Sequence, residues 1–293
     1  MILVTGGSGF IGSHVVDKLV EQGFVVRVFD KVKPLRKDVE WFHGDLMNDE
    51  DVVLACRDIE VVFHLAAVSD VNLALSHPET CLDINENGTV KLLKAAVARE
   101  VERIILAATT WVYGRANGTV DEDTPIPMPD HVYTKSKVGQ EHLIYSWNRR
   151  YGLPYTILRY GIPYGPRMRS NMAIAIFARK AMRREPITIF GDGSQGRCFI
   201  YIEDLAEGNI AALKESGRNE IFNLAGKEFV TINQIVEKLR QIFGELDARY
   251  NNSRSNDFKG VIVNIEKAKS LLGWEPKTPF DVGLRKYLEY IKQ

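Results

Sequence analysis

The chain has 293 residues, 38 of them Lys or Arg and 38 Asp or Glu, enough to bury a large core and to divide into a larger and a smaller domain. This charge balance offers no electrostatic footprint for nucleic acid or an anionic membrane surface, and no apolar run approaches the ~18 residues of a membrane span. Cys56, Cys81 and Cys198 lie far apart without metal-ligand spacing and read as reduced thiols, and Met1 leads straight into the first strand with no room for a signal peptide, so a cytoplasmic protein without a metal site is expected.

Ile2, Leu3 and Val4 are apolar and β-prone; Gly6, Gly7, Gly9 and Gly12 follow at once. Ile11, Val15, Val16, Leu19 and Val20 then recur at helical spacing. A strand that turns on glycines into a helix lets backbone N–H groups approach a pyrophosphate. Residues 24–29 read as a second buried strand with Asp30 at its end. An acid about 20 residues beyond such glycines is placed to bond an adenosine ribose. The glycines alone would fit a surface turn, but in this context they point to NAD. The Asp30 carboxylate would repel a 2′-phosphate, which favours NAD over NADP, although Lys31 and Lys33 soften that preference.

Strands are expected at 39–42, 61–65, 104–108 and 155–158, with helices at 49–55, 78–99 and 131–151 between them. Continuous apolar strands alternating with helices predict an α/β fold, a doubly wound parallel sheet of Rossmann type. Past Arg159 the rhythm loosens, with helices at 171–183, 203–214, 232–243, 266–272 and 279–291. We expect residues 1–161 to form the NAD-binding domain, with a return segment near 203–224, and 162–293 a smaller α/β substrate domain. A ligand would sit in the crevice between them.

The strongest catalytic signal is Tyr133-Thr-Lys-Ser-Lys137. Four apart on a helix, Tyr133 and Lys137 share a face. A free tyrosine, with a pKa near ~10, is a poor base at neutral pH. The Lys137 ammonium and a positive nicotinamide ring would draw that pKa toward the working range. Upstream, Thr109 and Thr110 end an apolar strand, where ligands bind in parallel α/β sheets. Either hydroxyl is placed to bond a substrate beside Tyr133.

The ordered motifs TGGSGFIG (5–12), Asp30, GDL (44–46), HLAA (64–67), NENGT (85–89), TTWVYG (109–114), YTKSK (133–137), FGDGSQGRCFIYIEDLA (190–206) and LLGWEP (271–276) span almost the whole chain. Their order resembles the extended short-chain dehydrogenase/reductase family, and within it the nucleotide-sugar epimerases and dehydratases. The resemblance implies an NAD site formed by Gly6, Gly9, Phe10, Ile11 and Gly12 at the pyrophosphate and by Asp30 and Lys31 at the ribose. Asp45 and Leu46 would flank the adenine, with Leu65, Ala66, Ala67, Asn85 and Tyr160 further along the cleft. Thr109, Tyr133 and Lys137 match the catalytic set, Lys137 also bonding the nicotinamide ribose. Thr110 and Ile162 fall among the substrate contacts. Arg197 and Arg254 match basic positions that grip a diphosphate, as a guanidinium fork does well.

Members of this family that perform elimination resemble one another in carrying an acid after the catalytic threonine. Here the two following positions hold Thr110 and Trp111, neither a proton carrier at C5 of a sugar. The expected reaction is therefore epimerisation at C4 of a UDP-linked sugar, UDP-glucose/UDP-galactose first. A UDP-hexuronate, a reductase reaction and a non-catalytic NAD sensor are the alternatives. Where the family reads Arg-Tyr-Phe-Asn, this chain has Arg159-Tyr-Gly161-Ile162, and Cys198 follows Arg197 in place of Asp. A homodimer is expected, since the helices near Thr89–Arg99 and Ser136–Tyr151 resemble those that pair across dimers in this family, although their apolar positions, Leu92, Leu93, Val97, Val138, Leu143 and Trp147, could equally face the core.

Overall fold

The computed structural model describes residues 1–116, 118–253 and 259–293. The first half runs β1 (Ile2–Thr5), α1 (Phe10–Glu21), β2 (Val26–Asp30), β3 (Glu40–His43), α2 (Asp49–Ala55), β4 (Val61–His64), α3 (Val71–Ser76), α4 (Pro78–Leu82), α5 (Gly88–Ala98), β5 (Arg103–Thr109), β6 (Thr119–Val120), α6 (Val132–Tyr151) and β7 (Tyr155–Tyr160). The second runs β8 (Ile162–Tyr164), α7 (Ala173–Met182), β9 (Ile187–Phe190), β10 (Gly196–Tyr201), α8 (Ile202–Ala211), β11 (Glu220–Leu224), β12 (Phe229–Thr231), α9 (Ile232–Phe243), β13 (Ala248–Asn251), β14 (Ile262–Val263) and α10 (Phe280–Tyr290).

Seven strands form one sheet in the order β11-β7-β5-β4-β1-β2-β3, every pairing parallel. Its interior strands are buried along their length, as a sheet covered on both faces requires. One apolar layer packs Val15, Val16 and Leu19 with Leu205 and Ala206; the other packs Val52, Leu92, Leu93 and Ile144. The expected doubly wound sheet is present, and β11 returns the chain to it beside β7. Strand order reverses between β1 and β4, so the crevice for ligands opens at their carboxyl ends.

Local differences have physical causes. The second strand starts at Val26 rather than residue 24, because Gly23 turns at φ +84° and Phe24 N–H still caps α1 on the Leu19 carbonyl. The helix expected at 78–99 is broken by a π-turn, Asp83–Asn87, between α4 and α5. The helix expected at 266–272 likewise ends in a π-turn, Ala268–Leu272. Leu92 and Leu93 are fully buried, Val97, Leu143 and Trp147 pack against the same core, and Val138 packs against a separate cluster around Val112 and Tyr113. Leu92 and Leu93 thus face the chain's own interior, while the other four positions are partly exposed.

Helix α6 is fixed to the sheet by a buried bidentate ion pair. Arg159 on β7 donates to both Glu141 oxygens, at 3.0 and 2.7 Å, with the two side chains 3% and 2% exposed. Removing one partner of such a pair costs about 3–5 kcal/mol, because the other charge stays buried. This clamp sets where Tyr133, in the first turn of α6, meets the end of β5.

Candidate active site

A cavity of about 870 Å³ opens at the carboxyl ends of β1, β4 and β5 and runs to the segment after β7. Gly6, Gly9, Phe10, Ile11 and Gly12 line one end. Gly6 sits at φ +70°, and a Cβ there would lie 2.8 Å from the Ala66 backbone. A Cβ on Gly12 would lie 2.1 Å from the Gly6 carbonyl oxygen. No side chain caps α1 and no acid occupies its first turn, so its N-terminus is open to an anion. Asp30 accepts from Ser8 N–H at 3.0 Å and Val32 N–H at 2.9 Å, which pins its carboxylate at the mouth of the turn. Lys31 pairs with Asp45 at 2.7 Å, so one of the two ammonium groups expected to soften the NAD preference is already engaged. A glycine cradle, a helix N-terminus and a ribose-level acid together fit NAD.

At the far end, Thr109 caps a short 3₁₀ turn, its Oγ1 accepting from Trp111 N–H at 3.2 Å. Tyr133 and Lys137 line the same wall. Lys137 is 4% exposed and donates to the Ala107 carbonyl at 2.9 Å. Burial lowers its pKa to about 8. Burial also pushes the Tyr133 phenol up to about 12, against a hydrogen bond with Thr109 and the charge of Arg169 that favour the phenolate. Desolvation therefore dominates in the chain by itself, whereas the expected pull on this phenol combined Lys137 with a positive nicotinamide ring. Beside Tyr133, its ring is stacked on His131 at 6.2 Å, and Trp111 meets the pair edge-on at 5.4 and 6.4 Å.

Asp45, Leu46, Leu65, Ala66, Ala67, Tyr160 and Ile162 also line the cavity, as expected. Three other expectations change. Thr110 does not line it; its hydroxyl donates to the Tyr160 carbonyl at 3.1 Å. Asn85, fully buried in the π-turn, acts one layer back: its amide accepts from Val68 N–H at 2.7 Å and donates to Val68 O at 3.1 Å. Arg197 also lies off the cavity, donating to Gly196 O at 2.7 Å with its guanidinium 5.9 Å from the Trp111 ring centre. Arg254 lies outside the described residues.

The sequence reading missed Arg169 and Asn171. Both line the cavity just beyond the Gly165-Pro166 turn. Arg169 donates to Ser69 O at 3.3 Å and lies 3.8 Å from Asp70; Asn171 donates to Asp70 at 2.7 Å. A basic and an amide side chain so soon after that turn were the available signal. The structure also accounts for Gly161, where a Cβ would lie 2.6 Å from Cys198 O and 3.0 Å from the Ala225 methyl. The aromatic found there in the family has no room here.

Among the described residues no helix is long and apolar enough to cross a membrane, and no His/Cys/Asp/Glu cluster could hold a metal. Residues 2–225 match the NAD dependent epimerase/dehydratase family. The chain is 35% identical to a UDP-glucuronate 4-epimerase of Thermodesulfobacterium geofontis, over 99% of this chain and 96% of that one. Among solved structures it resembles the UDP-glucose 4-epimerase of Thermotoga maritima with UDP-glucose, at 34% identity and a TM-score of 0.94, covering 99% and 98% of the two chains. It also resembles a UDP-glucuronic acid 4-epimerase of Bacillus cereus in complex with UDP-glucuronic acid and NAD, at 33% identity and a TM-score of 0.93, covering 100% and 99%.

Proposed function

Because the chain belongs to the NAD-dependent epimerase/dehydratase family, we propose that it inverts C4 of a UDP-linked hexose, with UDP-glucose and UDP-galactose as its substrate pair. One observation carries this reading. Thr109, Tyr133 and Lys137 share a cavity wall, and the position beside them holds the Trp111 indole rather than a carboxylic acid. A carboxylate there would serve elimination; an indole moves no proton.

The chemistry that NAD supplies when bound is reversible hydride acceptance at a carbinol carbon. The glycine turn, Asp30 and the wall at Leu65, Ala66 and Ala67 would hold it. Tyr133, as phenolate, takes the proton from the C4 hydroxyl, and Thr109 orients that hydroxyl and stabilises the developing charge. Lys137 holds positive charge one helical turn from the phenol, which favours its ionised form once the site is loaded. After the 4-keto sugar has turned, Tyr133 returns the proton to O4. Nothing is consumed over the cycle.

Arg169 favours a second reading, a UDP-hexuronate. Its guanidinium lines the cavity and lies close enough to Tyr133 for its charge to act on the phenol, and a planar fork suits a C6 carboxylate. The relatives include both glucose and glucuronate enzymes.

The test is proton NMR in D₂O with no added cofactor, on UDP-galactose and on UDP-glucuronate. Conversion without deuterium at C4 supports internal return of hydrogen, and the faster substrate decides between the readings. The Tyr133→Phe variant should still bind NAD while kcat falls about 10²–10⁴-fold. Bound NAD with no conversion of either sugar would instead favour a non-catalytic sensor.

A further inference from the structure

His64, at the end of β4, touches neither the cavity nor solvent, being 1% exposed. Its Nδ1 lies 2.9 Å from Thr5 Oγ1 and its Nε2 2.8 Å from Thr89 Oγ1. The donor count leaves one arrangement. The Thr89 hydroxyl donates to the Asn85 carbonyl at 2.5 Å, so its oxygen is left to accept, from Gln140 Nε2 at 2.7 Å and from His64. The imidazole therefore carries its proton on Nε2, and its bare Nδ1 accepts from the Thr5 hydroxyl. Thr5 Oγ1 in turn accepts from Ala66 N–H at 3.2 Å. Burial, reinforced by the Lys137 charge, lowers the His64 pKa to about 3, consistent with a neutral ring.

The chain of bonds continues on the other side. The Asn85 amide that clamps Val68 also donates to Ser136 Oγ at 2.9 Å, and Ser136 donates to the Tyr133 carbonyl at 2.8 Å. Thr5, Asn85, Thr89 and Ser136 are all 0% exposed. The links tie together the end of β1, the end of β4, the π-turn, the start of α5 and the start of α6, the last of them, Ser136 to Tyr133, lying within α6.

We propose that His64 is a positioning residue, the centre of a buried hydrogen-bond network that, joined through Asn85, fixes the NAD-facing wall at Ala66–Val68 against the backbone of Tyr133. A π-turn inside a helix is otherwise an unfavourable irregularity. Here it turns the Asn85 carbonyl toward Thr89 and the Asn85 amide toward Val68 and Ser136. Buried networks of this kind rigidify one arrangement of the elements they join, and cutting one link leaves the neighbouring groups unpaired.

The experiment measures NAD dissociation from the full-length protein, stripped of cofactor and titrated with NAD, for His64→Leu and His64→Gln. Leucine removes both bonds; glutamine supplies one acceptor and one donor. The Kd for NAD should rise at least about tenfold in His64→Leu and recover to within about threefold of the parent in His64→Gln. A purely structural histidine would lower Tm and leave the Kd unchanged, and that result overturns the proposal. Thr5→Val and Ser136→Ala carry the test should His64→Leu not fold. Thr5→Val cuts the arm to Ala66 and should weaken NAD binding about tenfold. Ser136→Ala cuts the arm to Tyr133 and should lower kcat with little change in NAD Kd. Unchanged Kd in the first and unchanged kcat in the second would also overturn it. The kcat arm rests on the proposed epimerase reading; the NAD arms do not, so the two can fail separately.

Discussion

At the cofactor end the cavity rests on backbone, the Gly6–Gly12 turn, the first turn of α1 and the chain leaving β4, with Asp30, Asp45 and Leu46 beside it. At the sugar end it is made of side chains, Trp111, Ile162, Arg169 and Asn171, brought in from the end of β5 and from residues beyond β7. The two ends obey different rules. A backbone wall tolerates few residues, because any Cβ at Gly6 or Gly12 meets another backbone. A side-chain wall accepts many residues, and each choice changes what it recognises. One fold can therefore keep its cofactor while its sugar varies, as the mixed glucose and glucuronate relatives illustrate.

The sharpest way to break this comparison is Gly12→Ala. The added methyl would lie 2.1 Å from the Gly6 carbonyl oxygen, with no flexible side chain to give way. Overpacking of this kind costs about 1–3 kcal/mol, and here the turn itself must move. The NAD content of purified Gly12→Ala, measured after acid release, should fall to about a tenth of the parent or less, with the same protein losing thermal stability. Normal NAD content would mean that the turn is softer than its contacts imply.

The same contrast explains what the sequence made legible. The glycine turn, Asp30 and the Tyr133/Lys137 pair were readable because backbone rules and helical spacing act within a few residues. The parallel sheet followed from unbroken apolar strands. Asn85 was readable as a site residue but not as a clamp on Val68, since that depends on a π-turn that the helical pattern of residues 78–99 hides. Arg197 sits over Trp111 and off the cavity, whereas Arg169 lies on it. Sequence offers two arginines of the same type, and only the path of the chain after β7 decides which one lines the cavity. The phenol of Tyr133 is a third case: spacing brings Lys137 near, but burial, which spacing does not report, sets the direction of its shift.

Arg169→Gln sharpens the comparison at the other end. If the sugar end recognises a carboxylate, kcat/KM for UDP-glucuronate should fall about 10–100-fold, the range for losing a charge-assisted contact. For UDP-glucose the change should stay within about threefold. Removing the guanidinium also removes a charge that favours the Tyr133 phenolate. The alkaline rise in kcat/KM with pH should consequently shift to higher pH for either substrate. NAD content should be unaffected, because Arg169 belongs to the side-chain wall. Equal losses on both sugars would instead place Arg169 on a group they share, such as the diphosphate.

The smallest effect is expected just behind the wall. Thr110 stands next to Thr109, the proposed catalytic hydroxyl, yet its own hydroxyl is committed to the Tyr160 carbonyl at 3.1 Å. Thr110→Val keeps the shape and removes the donor, leaving a buried carbonyl less satisfied. The expected cost is about 1–2 kcal/mol of stability, read as a lower Tm in thermal denaturation. Because Thr110 does not line the cavity, kcat/KM on the preferred sugar should stay within about threefold. A larger catalytic loss at unchanged Tm would mean that the 3₁₀ turn moves when substrate binds and brings Thr110 into contact with it. The boundary between wall and support would then lie one residue further along the chain.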